Sequence, residues 1–232
     1  MPNLSRLVWH GEKARAAWAP FLSSYAHQWE EAEMTSVADG QRDAAVANFS
    51  PVEYMAFLPW ALERKLKVRV LRETAALDLF SHVTEPGEGN LVVGVARYES
   101  DLETIDRNLG YPLCCVEAHW TRNVDPMAEW AGVHATADPF CNPLLRYVGL
   151  RLCPHIPCSP HCQESSKLGR ALAGYLDQGV VARVVELLSD VTWDSYRGTA
   201  IVTARPFRII LGTVPLDERV VVRMKGAAHG AR

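Results

Sequence analysis

The stretch Cys153-Pro-His-Ile-Pro-Cys-Ser-Pro-His-Cys162 holds three thiols and two imidazoles within ten residues, and a helical pattern follows at once. Ser159 reads as an N-cap and Pro160 as the first helical residue, where a missing backbone N–H does no harm. Behind them Leu168, Ala171, Leu172, Tyr175 and Leu176 recur at the helical period. This places Cys162 in the first turn and Cys158 just ahead of the cap. An upstream echo, Gly110-Tyr-Pro-Leu-Cys-Cys115, again sets two thiols after a proline. Pro112 suits the first position of a second helix, with Cys114 and Cys115 in its first turn and Cys115 and His119 on one face.

Working outward, Ala14, Ala17, Trp18, Phe21, Leu22, Tyr25 and Trp29 predict an amphipathic helix over 13–32, bent at Pro20. Residues 34–49 are small and polar and read as a loop or irregular helix. Ser50, Pro51 and Glu53 form a capping-box signature for a helix reaching about Lys65, with a bend at Pro59. Lys67 to Leu71 and Leu91 to Ala96 read as strands, Thr74 to His82 as a helix, and Glu85 to Asn90 as a turn. Asp101 to Leu109 reads as a short helix closed by Gly110. Asn123 to Pro143 reads as a loop covering a site, and Asn142 to Leu152 as either helix or strand. Val180 to Leu188 is helical by pattern. Thr199 to Thr203, Phe207 to Leu211 and Arg219 to Met224 suggest an antiparallel sheet. The fold class expected is therefore α+β: a single domain with a mostly helical body and a small C-terminal antiparallel sheet. Its parts would be a helical segment 1–84, a cysteine-rich core 91–190 and C-terminal strands 191–226.

The chain has 232 residues, 48% apolar and 22% charged, with a formal charge of -3. That length buries a proper core, and that charge gives no reason to expect a nucleic-acid partner. No secretory leader and no run long enough to span a membrane is visible, so a cytoplasmic, reducing setting is expected. Six cysteines there point to metal binding or catalysis before disulfides.

Thiolates bind metals, and helix N-termini favour thiolates through their free N–H groups and dipole. If the two helix starts meet, Cys114, Cys115, Cys158 and Cys162 converge on one electropositive pocket suited to an iron–sulfur cluster. His155 is a further ligand candidate and His161 a reserve one. Glu117 and His119 are candidate acid–base residues, a helical turn from the thiols. Cys141 and Cys153, singly placed among apolar neighbours, read as core. Haem and zinc are the alternatives to a cluster. The Cys-x2-Cys-His attachment motif is absent, but His155 and Cys158 could serve a singly linked haem with His119 on its distal side. There is no Gly-x-Ser-x-Gly, P-loop, dinucleotide fingerprint or His-Glu-x-x-His motif.

Gly-Tyr-Pro-x-Cys-Cys-Val-Glu-Ala at 110–118 and His-x-Pro-Cys-Ser-x-x-Cys at 155–162 together resemble a prokaryotic family of unknown function. The likeness spans roughly Leu91 to Leu176. His155 and Cys158 also resemble the ligand layout of haem-dependent 3-methyltyrosine hydroxylases, whose histidine lies one residue further from the cysteine. That likeness implies a peroxygenase acting on an aromatic amino-acid-like substrate in biosynthesis. The paired thiols are similar in arrangement to the cluster ligands of epoxyqueuosine reductases, without that fold's phosphate loop. The expected function is an iron-dependent redox enzyme with a small-molecule substrate and an electron-donor protein as partner. A zinc-stapled, non-catalytic binding module is the other reading.

Overall fold

The structure, a computed structural model, describes residues 6–74, 90–105, 109–121, 138–196 and 199–211. Of the expected helix at 74–82 and turn at 85–90, only the end residues Thr74 and Asn90 are described, both in strands, and most of the covering loop at 123–143 and the strand at 219–224 lie outside the described residues. The chain divides into two compact units, one of residues 1–28 and 112–232, the other of residues 29–111.

The second unit is a three-stranded antiparallel sheet between helices. Its strands β2 (Ala44–Phe49), β3 (Lys67–Thr74) and β4 (Asn90–Ala96) run in the order β2-β4-β3. One sheet face carries Ala45, Ala47, Phe49, Val93 and Val95, packed with Phe57 and Ala61 of α2 (Pro51–Glu63). The opposite face carries Ala44 and Ala96, packed with Leu102 of α3 (Glu99–Glu103) and with Ile105. Gly94 makes that approach feasible, since a Cβ there would lie 2.7 Å from Ile105 Cδ1. A buried ion pair, Arg42 to Glu33 at 3.0 Å, braces the same unit, and Arg42 also donates to the Leu109 carbonyl.

The capping box is formed as expected, with Ser50 and Glu53 exchanging hydrogen bonds. Two expectations fail here. The long first helix, α1 (Glu12–Ala38), continues beyond residue 32. Residues 44–49 form a strand and not a loop. Alanine has little preference for strands, so the local signal is absent; burial between two helical layers makes the assignment instead.

The first unit holds a four-stranded antiparallel sheet, β1 (Arg6–Trp9), β5 (Thr192–Tyr196), β6 (Thr199–Thr203) and β7 (Phe207–Leu211), in the order β1-β7-β6-β5. The chain is thus mixed α+β, but its sheets are not confined to the C-terminus: the N-terminal β1 completes this one, with Trp9 opposite Phe207. The helices of this unit are α4 (Leu113–Thr121), α5 (Gln163–Ala173), α6 (Gln178–Leu188) and the start of α1. Asp177 caps α6, accepting from the N–H groups of Gly179 and Val180.

Residues 142–152 form neither an α-helix nor a strand. Two 3-10 turns, at Pro139–Cys141 and Arg146–Val148, lead through Gly149 in the left-handed region to a buried irregular run. Leu144, Leu145, Val148, Leu150 and Leu152 are all buried, so the apolar letters carry no period to read. Side chains supply the missing backbone partners. Asn142 accepts from the Leu144 N–H and donates to the Leu188 carbonyl. Tyr25 donates its hydroxyl to the Arg151 carbonyl. No described helix is long and apolar enough to cross a membrane.

Candidate metal centre

Pro112 initiates α4 by accepting from the N–H groups of Cys115 and Val116, so both vicinal thiols fall in the first helical turn. The second helix start is one turn later than expected. Ser159 closes a tight turn, with its carbonyl bound by the Cys162 N–H, and Cys162 itself is the cap residue of α5. Proline at 160 fits that turn as well as a helix start, so its letter did not discriminate.

These two helix starts bring the four expected sulfurs together. The Sγ atoms of Cys114, Cys115, Cys158 and Cys162 all lie within 4.8 Å of one another. Cys114 is 3.9 Å from Cys115 and 3.7 Å from Cys162, and Cys115 is 3.7 Å from Cys162. Adjacent side chains diverge on a helix, yet in this first turn both vicinal sulfurs reach the same point. Cys115 and Cys162 are buried, Cys158 is half-buried and Cys114 is exposed, so the group opens to solvent on one side. It is a four-thiol set able to hold a metal ion.

The surroundings treat the sulfurs differently. Burial pushes Cys115 well up, against hydrogen bonds from Ser165 and from the Cys158 N–H at 3.3 Å. Burial likewise pushes Cys158 up to about 11. At Cys162 burial is outweighed by hydrogen bonds from Ser165 and from the Cys158 and Cys115 thiols, which bring it down to about 7. Cys162 is therefore the natural first thiolate, in keeping with its place at a helix start.

His155 is buried outside the four-sulfur set. Its Nε2 lies 2.8 Å from Ser165 Oγ, and its Nδ1 lies 3.5 Å from Cys153 Sγ. Ser165 Oγ in turn lies 3.1 Å from Cys115 Sγ and 3.2 Å from Cys162 Sγ. Ser165 went unremarked in the sequence; its signal was the spacing Cys-x2-Ser, the cap-to-N3 distance of a helix beginning at 163.

Cys141 and Cys153 are buried, as their apolar settings implied, but they adjoin the site. The Cys141 thiol donates to the Cys162 carbonyl, and burial raises Cys153 to about 12. Glu117 is on α4 and exposed; His119 is on α4, with its side chain outside the described ones. His161 is exposed. Asp138 ties the 3-10 turn to α5, accepting from the Phe140 N–H, the Ser166 hydroxyl and Arg170. Despite burial, these three donors hold its carboxyl below the usual range.

No protein-family model, curated protein or solved structure matches this chain. The chemistry of the site is thus read from its own atoms.

Proposed function

We propose that the chain is a metalloprotein in which Cys114, Cys115, Cys158 and Cys162 hold one tetrahedrally coordinated ion, zinc, in a closed site. Sulfur spacing carries this reading. Zinc–thiolate bonds of about 2.3 Å put the corners of a tetrahedron about 3.8 Å apart. The three pairs among Cys114, Cys115 and Cys162 are 3.7, 3.7 and 3.9 Å apart. An iron–sulfur cluster shares its thiolates among several irons and so holds them further apart than a single ion does. The spacing therefore favours one ion over the cluster that vicinal thiols suggest.

Four protein sulfurs leave no open position for a substrate, which is the pattern of a structural ion. Its task is to fasten the start of α4 to the 153–162 stretch and the start of α5, making the chain a zinc-stapled module. A second reading, one iron in the same cage serving electron transfer to a small-molecule reaction, is supported by two observations. Cys114 is exposed at the rim, and hydrogen bonds reach the sulfurs from Ser165 and the Cys158 N–H; both exposure and such bonds tune thiolate–iron potentials. Haem fares worse, because both ring nitrogens of His155 face protein groups and not a macrocycle.

Metal analysis of freshly and anaerobically purified protein decides among these. One zinc per chain, lost in Cys158→Ala, is the expected result. One iron without acid-labile sulfide would establish the redox reading. A brown protein with labile sulfide, or one with a sharp Soret band, would overturn the single-ion site.

A further inference from the structure

We infer that Ser165 and His155 are positioning residues of the metal centre: His155 donates from Nε2 and turns the Ser165 hydroxyl onto the Cys162 or Cys115 sulfur, setting how tightly that thiolate grips the ion. This rests on the four-thiolate reading above.

The direction of the chain follows from counting protons. A metal-bound thiolate has none and only accepts. A serine hydroxyl has one, so toward Cys162 at 3.2 Å or Cys115 at 3.1 Å it must be the donor. Its oxygen is then free to accept, and the group facing it at 2.8 Å is His155 Nε2, which must carry the hydrogen. In the neutral imidazole this leaves a lone pair on Nδ1, and Cys153, a thiol that burial keeps protonated, stands 3.5 Å away to supply its proton. Cys153, His155, Ser165 and Cys162 are 2, 7, 0 and 7% exposed, so protein groups and not bulk water orient each member. His155 and Cys153, which are not among the four ligands, thus acquire a role through one hydroxyl. Partners of this kind fix ligand orientation and moderate the charge on the ligand atoms.

The test uses the full chain loaded with cobalt(II) and, separately, zinc in competition with a chelator. The wild type should give the visible bands of tetrahedral cobalt and a sulfur-to-cobalt charge-transfer band. Ser165→Ala removes one oxygen and little volume. It should weaken zinc binding by about 10- to 100-fold, the usual consequence of losing such a partner. It should also move the charge-transfer band to lower energy, because the sulfurs lose a donor and hold their electrons less tightly. His155→Leu should do the same. His155→Gln, whose amide N–H can take the place of Nε2–H, should restore most of both properties.

Wild-type affinity and an unmoved band in Ser165→Ala would overturn the inference. So would equal damage from His155→Gln and His155→Leu, since packing and not donation would then be what His155 supplies. Circular dichroism of the metal-free variants identifies any that fail to fold, and Ser165→Ala with His155→Gln keeps the comparison decisive if His155→Leu is among them. A wild type without a tetrahedral thiolate spectrum would overturn the metal reading itself, and is a distinct outcome.

Discussion

Cys162 carries more of the site than its neighbours. It is the cap residue of α5, it receives the Ser165 hydroxyl, and its thiol is brought below the ordinary range. In the metal-free protein, the onset of thiolate absorbance should therefore belong to Cys162. One equivalent should appear near pH 7, and Cys158 should follow only toward about 11. Cys162→Ala should abolish that onset; if the step at pH 7 persists, another group owns it. The sign of the stability effect follows from the same shifts. A lowered thiol stabilises the fold above its unfolded value, and that contribution is lost as pH falls through about 7. Cys158, raised, contributes below its unfolded value and loses that contribution as pH rises through about 11. Metal-free stability therefore falls toward both ends of the range.

The ends of the elements, more than their middles, position the site. Gly169 on α5 lies so close to the irregular run that a Cβ would stand 2.3 Å from the Leu152 carbonyl and 2.7 Å from that of Phe140. Both obstacles are backbone, which cannot rotate away. Gly169→Ala should therefore destabilise by about 1–3 kcal/mol and, by pushing the 153–162 stretch off the helix, weaken metal retention as well. A thermal melt of the metal-free form together with a chelator competition would check both parts. An opposite substitution lies at the end of α2. Leu66 N–H reaches the Ala61 carbonyl and Lys65 N–H that of Leu62, a Schellman closure with Lys65 in the left-handed region at φ 57°. A Cβ is strained there, so Lys65→Gly should raise stability by roughly 0.5–1 kcal/mol in denaturant titration. Elements with local punctuation were legible from sequence: the Ser50 capping box, the β-branched β4 and the period of α6. The alanines of β2 and the leucines of 144–152 were not, because their conformation is decided by what covers them. For the site, cysteine letters and helix-start prolines led to the four sulfurs. Ser165 and the place of His155 were hidden, since a hydrogen-bond chain has no sequence period.

At the scale of the molecule, every proposed ligand comes from one of the two units, and two ligating pairs are separated by the chain between Cys115 and Cys158. An ion joining them closes that long loop in the folded state alone, so its binding free energy becomes stability of that unit. The cost of assembling the site is set by protons. Burial raises Cys115 and Cys158, so at neutral pH the metal-free protein keeps protons on both, whereas Cys162 is near the midpoint of losing its own. Binding an ion needs thiolates and must expel the protons that remain. The metal-free state holds more protons than the loaded one, so affinity must increase with pH and fall as the medium is acidified. Zinc competition between about pH 6 and pH 8 should show a rising apparent affinity, and weakly buffered titrations should show acid released on each addition of zinc. Below pH 7 the slope should steepen, as Cys162 also comes to hold its proton. Cys162→Ser would remove that added steepness. An affinity independent of pH would mean that the thiols are not the groups being displaced, and the four-sulfur site would fall with it.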